Sequence, residues 1–192
     1  NAQSCFNVGF EDSSFVNWTG YTGIYTDSLS NMTVGIVPGR QKIISAYPTI
    51  PYDSIADTIV PKVAPGSNFS VRLGNSSVGR QHDKLLYEID VDSNNLIFSY
   101  ASAVILQNPG HTMLDQPFFQ IKLIDTAGNE LDTVCGKITI FSDPSVPGFV
   151  PSAVNSSVLY RDWNFAGIDL TPYFGQTVII EFTTKDCDLG GH

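Results

Sequence analysis

Alternation with a period of two is the feature that most limits what this chain can become. In LLYEIDV (85–91), Leu85, Tyr87, Ile89 and Val91 alternate with Leu86, Glu88 and Asp90. That pattern places one set on each face of a strand. FSVRLG (69–74), FFQIKLI (118–124), KITIFS (137–142) and TVIIEFTT (177–184) are further β-rich runs. Shorter candidates lie at 5–8, 18–21, 42–45 and 160–165. LIFSYASAVIL (96–106) is apolar on both faces and reads as a central strand. No run of useful length carries the helical period.

Turn chemistry separates these runs. DSNN (92–95) and DTAGNE (125–130) each predict a hairpin, the second with Gly128 and Asn129 suited to positive φ. DPSVPG (143–148) opens a longer loop. Many short strands joined by turns predict an all-β fold of two packed antiparallel sheets. At 192 residues the chain fits one domain, 1–192. The Pro/Ser-rich stretch 46–68 reads as an irregular surface excursion from it.

Charged residues make up 15% of the chain, against about 25% in an average soluble protein, so Ser, Thr and Asn supply the polarity. That is the surface of a secreted β-protein. The net charge of −9 repels phosphate backbones and anionic lipid, which argues against a nucleic-acid partner and against direct membrane insertion. No run of 18 apolar residues occurs, so no membrane-spanning helix is expected. The cysteines, Cys5, Cys135 and Cys187, lack the spacing of a zinc knuckle. An odd number in a secreted chain suggests one disulfide and one thiol with a partner elsewhere.

Four clusters have the composition of sites. In GFEDSSFVNWTG (9–20), Glu11 and Asp12 suit a calcium loop or a solvated turn, with Trp18 in the core. DVDSNN (90–95) opens like a calcium-binding loop but lacks its later ligands, and reads as an Asx-rich turn. LQNPGHTMLDQP (106–117) offers Asn108 and His111 in a loop between strands, as turn caps or as ligand contacts. KDCDLGGH (185–192) holds Asp186, Asp188 and His192, either around a pinned loop or as contacts to a metal or sugar hydroxyls. No enzyme is expected. G-x-S-x-G and H-E-x-x-H are absent, and His82, His111 and His192 lie in different segments. N-x-S/T sequons stand at Asn17, Asn31, Asn68, Asn75 and Asn155.

FNVGFEDSSFVNWTG resembles the opening of bacterial extracellular jelly-roll modules of the galactose-binding-like type. VRLGNSSVGRQHDKLLYEIDVD, AVILQNPGHTMLDQPFFQIKLID and RDWNFAGIDLTPYFGQTVIIEFTTKDCDLGGH are similar to a narrower group. These are domains of large surface proteins exported by the type IX secretion system, including the giant adhesins of gliding Bacteroidota. The resemblance implies a jelly-roll sandwich on an extracellular, cell-surface protein that binds a glycan or surface polymer. The contacts expected are Arg72, Asn75, Asn108, His111, Asp186, Asp188 and His192, with Arg72 forking onto two oxygens. It implies a structural calcium at Glu11 and a Cys135–Cys187 disulfide, with Cys5 left for a cysteine elsewhere. O-glycosylation in that group follows Asp-Ser/Thr-apolar triplets, which here mark Ser28, Ser54, Thr58, Thr126 and Thr133.

In that family Gly-Gly-His leads into a strand that closes the sandwich. The resemblance therefore implies a piece of a longer protein, lacking its final strand. The expected result is a sheet edge left unpaired, with either a further segment of the polypeptide or a strand-donating partner filling it, or poor order near 177–192. Two other roles stay open: a structural spacer or filament-tip domain without a small ligand, and an accessory domain of a secreted enzyme.

Overall fold

The structure is a computed structural model, and it describes residues 5–26, 29–108, 110 and 116–188. Eleven strands follow in chain order: β1 (Trp18–Thr26), β2 (Leu29–Val34), β3 (Gln41–Ser45), β4 (Phe69–Leu73), β5 (Gln81–Asp90), β6 (Ile97–Gln107), β7 (Phe118–Ile124), β8 (Lys137–Phe141), β9 (Val150–Pro151), β10 (Val158–Asp169) and β11 (Thr177–Lys185). The described helical structure is a single 3-10 turn, Thr171–Tyr173. The fold is thus all-β, as the alternation predicts.

One layer is a six-stranded antiparallel sheet in the order β2-β1-β5-β11-β7-β8. The other consists of two sheets, β6-β10-β9 and β3-β4. The chain crosses between layers from β2 to β3, β4 to β5, β5 to β6, β6 to β7, β8 to β9 and β10 to β11, the wrapping of a jelly-roll sandwich. Between the layers lies the main core: Leu85, Tyr87 and Ile89 of β5, Ile121 and Leu123 of β7, and Val178 and Ile180 of β11. Phe98 of β6 and Ile168 of β10 face them. Burial of each such side chain contributes about 1.5–3 kcal/mol. Trp18 is buried, as expected, stacked on Phe10 at 4.7 Å, with its indole N–H donated to the Asn7 carbonyl.

Several expectations change. The 92–95 turn does not make a hairpin: β5 and β6 belong to different sheets, so it carries the chain across the sandwich. β6 is an edge strand. Its outer apolar residues, Ala103 and Ile105, are covered instead by Ala56 and Val60 of the 46–68 stretch. That stretch has its own small core, with Ala56 and Val60 buried. Residues 5–8 form turns rather than a strand, and LSNMTV, too polar and short in its alternation to stand out, forms β2. β11 pairs with β5 on one side and β7 on the other, so it is not an edge. In the opposing layer, β4 pairs with β3 and β6 with β10, and each is an edge.

The Cys135–Cys187 disulfide is not formed in the structure. Topology explains this. Cys135 precedes Gly136, whose carbonyl accepts the Leu123 N–H at one end of β7. Cys187 follows Lys185, which lies opposite Phe118 at the other end. Five residues of strand separate the two ends, about 16 Å. A disulfide requires Cα atoms within about 7 Å.

Candidate functional site

The described parts of two of the four clusters, those at Asn108 and at 185–188, meet at one end of the sandwich. The end of β11 meets the start of β5 at Lys185–His82 and the start of β7 at Lys185–Phe118. Beyond it, Asp186 N–H donates to the Gln81 carbonyl and Arg80 N–H to that of Cys187. Gly74, at the end of β4, lies against Thr184. Arg72, Asn75, Asp186 and Asp188 therefore share this end. Asn108 joins them from β6, its amide donating to the Ser142 carbonyl at 2.6 Å. His111, His192 and Ser28 lie outside the described residues.

Most of these side chains serve the loops themselves. The Asn75 carbonyl oxygen accepts the Ser77 N–H, and that of Asn108 accepts the Gly110 N–H. Asp188 pairs with Arg80. Arg72 donates through Nη2 to the Gly39 carbonyl, while its Nε is buried without an acceptor. Asp186 accepts the Cys187 N–H on one oxygen and buries the other without a partner. Burial pushes its carboxyl up to about 7, against the pull of that N–H and of Arg40. Arg40 and Asp83 form a further link at this end. The guanidinium donates to Asp83 at 2.9 Å and to the Gly23 carbonyl at 3.1 Å, tying the β2–β3 connection to β1 and β5.

Glu11 lies elsewhere, in the 5–17 segment. Its two carboxylate oxygens both accept the Gly9 N–H, at 3.0 and 3.1 Å. Asp12 accepts from Ser14. Calcium takes six to eight oxygens, and no group of three His, Cys, Asp or Glu gathers among the described residues. Of the modification candidates, Ser54, Thr58, Thr126 and Thr133 are all exposed.

A second surface was not anticipated. It is the outer face of the six-stranded sheet, built by register. Residues opposite one another on paired strands share a face. At the loop end one row runs Met32, Gly23, His82, Lys185, Phe118, Phe141 across the sheet. The next runs Val34, Tyr21, Lys84, Thr183, Gln120, Thr139. The third runs Thr19, Leu86, Glu181, Lys122, Lys137. Their inward neighbours fill the core, so these side chains must point outward.

This face is polar yet partly buried. His82, Glu181, Thr183 and Lys185 are each less than a tenth exposed. Lys84 donates to Glu181 at 3.0 Å, and the Thr183 hydroxyl donates to the same carboxylate at 3.2 Å. Lys185 lies 3.8 Å above the Tyr25 ring. Gln120 donates to Thr139 at 2.6 Å. Phe118 and Phe141 meet edge to face at 5.8 Å. They and Tyr21 and Tyr25 stay half-exposed. Both ring nitrogens of His82 are buried and lack a hydrogen-bond partner. Burial, and then the charge of Lys84, push the imidazole down to about 4, so it is neutral at physiological pH. A neutral imidazole offers one donor and one acceptor.

No family model and no curated protein matches this chain. Among solved structures, it is similar to the enzymatically active domain of tailspike protein 4 of bacteriophage CBA120, at 14% identity and a TM-score of 0.45. That alignment covers 96% of this chain and 19% of the tailspike chain, so the chain spans only a small part of that protein's length. It is also similar to a CBM61 module solved in complex with β-1,4-galactotriose, at 13% identity and a TM-score of 0.44, covering 95% of this chain and 87% of that one.

Sequence reasoning missed the outer face for a clear reason. Lys84 and Glu181 are 97 positions apart and meet only through the β5–β11 register. The available signal was the set of polar residues alternating with apolar ones in TVIIEFTTK and QHDKLLYEID. It shows that an outer face exists, not which residues share it.

Proposed function

We propose that this chain is a non-catalytic, glycan-binding module of an extracellular surface protein, and that the outer face of the six-stranded sheet holds the glycan. The observation that carries the reading is one row of that face. In it Lys185 stands between His82 and half-exposed Phe118, and Tyr25, beside the row, meets the His82 ring edge to face at 6.4 Å; His82 is neutral, with two unpartnered nitrogens. Sugar rings present apolar C–H faces that aromatic rings accept, and hydroxyls that both donate and accept. An apolar platform with a few convergent polar groups is the usual makeup of a small-molecule site. The loop end, with Arg72 and Asp186, forms the rim of the same platform.

The adhesive, type IX-exported surface role rests on the sequence resemblance, as do O-glycosylation at Ser54, Thr58, Thr126 and Thr133 and a structural calcium. The spacer reading has its own support: the polar side chains of Asn75 and Asn108 are taken up by their own loops. One experiment separates the readings. A panel of immobilised glycans is probed with the wild-type chain and with Phe118→Ala and Tyr25→Ala, with and without EDTA. The expected result is saturable binding that either substitution weakens about tenfold. Binding lost in EDTA assigns calcium a role. Binding by wild type and both variants alike moves the site to the loops. Absence of binding throughout favours the spacer.

A further inference from the structure

The distribution of charge over the sandwich carries the inference one step further. The chain has net charge −9 and six lysines: Lys42, Lys62, Lys84, Lys122, Lys137 and Lys185. Four of these, Lys84, Lys122, Lys137 and Lys185, stand on adjacent strands of one sheet face. In the three rows at the loop end their anionic partners are Glu181, held by Lys84, and Glu130. Lys122 and Lys137 both turn to Glu130, at 2.9 and 3.0 Å, so two cations share one carboxylate. The acids of the same face, Glu88 and Asp90, lie farther along β5, opposite Ile179 and Thr177, away from the loop end. An acidic protein thus keeps a basic strip on the surface that bears its aromatic platform.

The strip on β7 and β8 has a repeat. Phe118 and Phe141 lead, Gln120 and Thr139 follow, and Lys122 and Lys137 end it, each pair in register. Four residues of strand separate the aromatic and lysine pairs, about 13 Å. That is long enough for more than one pyranose ring, so a saccharide stacked on Phe118 would bring the next units over the lysines.

We propose that the ligand is an acidic polysaccharide, whose carboxylate or sulfate groups are received by Lys122 and Lys137 beside the aromatic platform. This rests on the glycan-binding reading above and names the class of its ligand. Lysine ammonium groups with a shared counter-ion can exchange part of that pairing for a ligand anion, and such charge-assisted bonds are the stronger kind. The focused positive strip also offsets the repulsion that the overall charge would impose on an anionic polymer.

The test uses two matched pairs of polymers in affinity gel electrophoresis: polygalacturonate against its methyl ester, and dextran sulfate against dextran. Probes are the wild-type chain, K122Q/K137Q, K122R/K137R and F118A, each first checked for wild-type thermal unfolding. Retardation by polygalacturonate but not its ester supports a carboxylated ligand. Retardation by dextran sulfate alone supports a sulfated one. In either case K122Q/K137Q is expected to weaken binding by at least about tenfold, with K122R/K137R restoring it. Equal binding of charged and neutral polymers, unaffected by K122Q/K137Q yet weakened by F118A, overturns the acidic ligand and leaves the glycan-binding reading standing. Charged binding unaffected by K122Q/K137Q overturns the assigned lysines. No binding to any of the four polymers overturns the acidic-ligand inference, while the wider neutral glycan panel then decides the reading beneath it.

Discussion

The two outer faces of this sandwich are finished in opposite ways. On the β6–β10 side, Ala103, Ile105, Tyr160 and Trp163 are apolar and are covered by the chain's own 46–68 stretch. Asp57 fastens that cover, accepting the N–H groups of Ala153 and Val154 and the hydroxyls of Ser152 and Tyr160. The Trp163 indole N–H donates to the Pro61 carbonyl at 2.7 Å. On the six-stranded side the described aromatic rings, Tyr25, Phe118 and Phe141 among them, stay half-exposed beside charged and polar side chains. Lys84, Glu181, Thr183 and Lys185 satisfy one another and the aromatic rings around them. The covered face is held by burial, which a ligand could replace only by expelling the cover. The networked face is held by hydrogen bonds and charges, which a ligand with hydroxyls or anions can enter by exchange.

Breaking the covered face should cost most. Trp163→Ala removes a large ring and its hydrogen bond to Pro61, for an expected loss of about 3 kcal/mol in denaturant unfolding. Limited proteolysis should then cut within 46–68. Unchanged stability and continued protection there would mean that the stretch is not held by Trp163. The networked face should lose less. Lys84→Met leaves Glu181, with its side chain 8% exposed, without its cation, for a loss of about 2 kcal/mol. Adding Glu181→Gln should recover most of that loss, because the neutral amide no longer needs a counter-ion. A double variant no better than Lys84→Met would show that the pair is not the element that stabilises this face.

The contrast also explains what could be read in the sequence. β5, β7 and β11 were legible because each packs one face on the core, and their alternation survives in Leu85/Tyr87/Ile89 and Val178/Ile180. β6 was legible as a strand but not as an edge: an apolar outer face reads the same whether a neighbouring layer or a distant segment covers it. The 46–68 stretch carries no period, so its docking could not be foreseen; its apolar residues Ala56, Val60, Val63 and Ala64 hint at burial without saying against what. The loop end was legible as a cluster of polar turns, and topology does gather Arg72, Asn75, Asn108, Asp186 and Asp188 there. The basic strip was hidden by the net charge, which averages over a surface that the fold divides.

The smallest expected effect is a pH response that compares the networked face with its rim. His82 on the face is held neutral to about 4, below its ordinary 6.5. As pH falls from 6.5 toward 4, the unfolded chain takes up a proton that the folded one resists, so this group removes stability over that window. Asp186 at the rim is held protonated up to about 7, above its ordinary 3.8. As pH rises from 3.8 to 7, the unfolded carboxyl releases its proton while the folded one keeps it, so this group removes stability in the alkaline direction and levels off above 7. Over the shared window the two oppose each other, and the wild-type melting temperature should vary little. Asp186→Asn keeps the bond from the Cys187 N–H but removes the titration. It should raise the melting temperature at neutral pH and unmask the acid loss due to His82. His82→Gln should do the reverse, leaving a protein that gains stability on acidification. If Asp186→Asn gives the same profile as wild type, the Asp186 carboxyl is solvated in solution and the rim is more open than the face it borders.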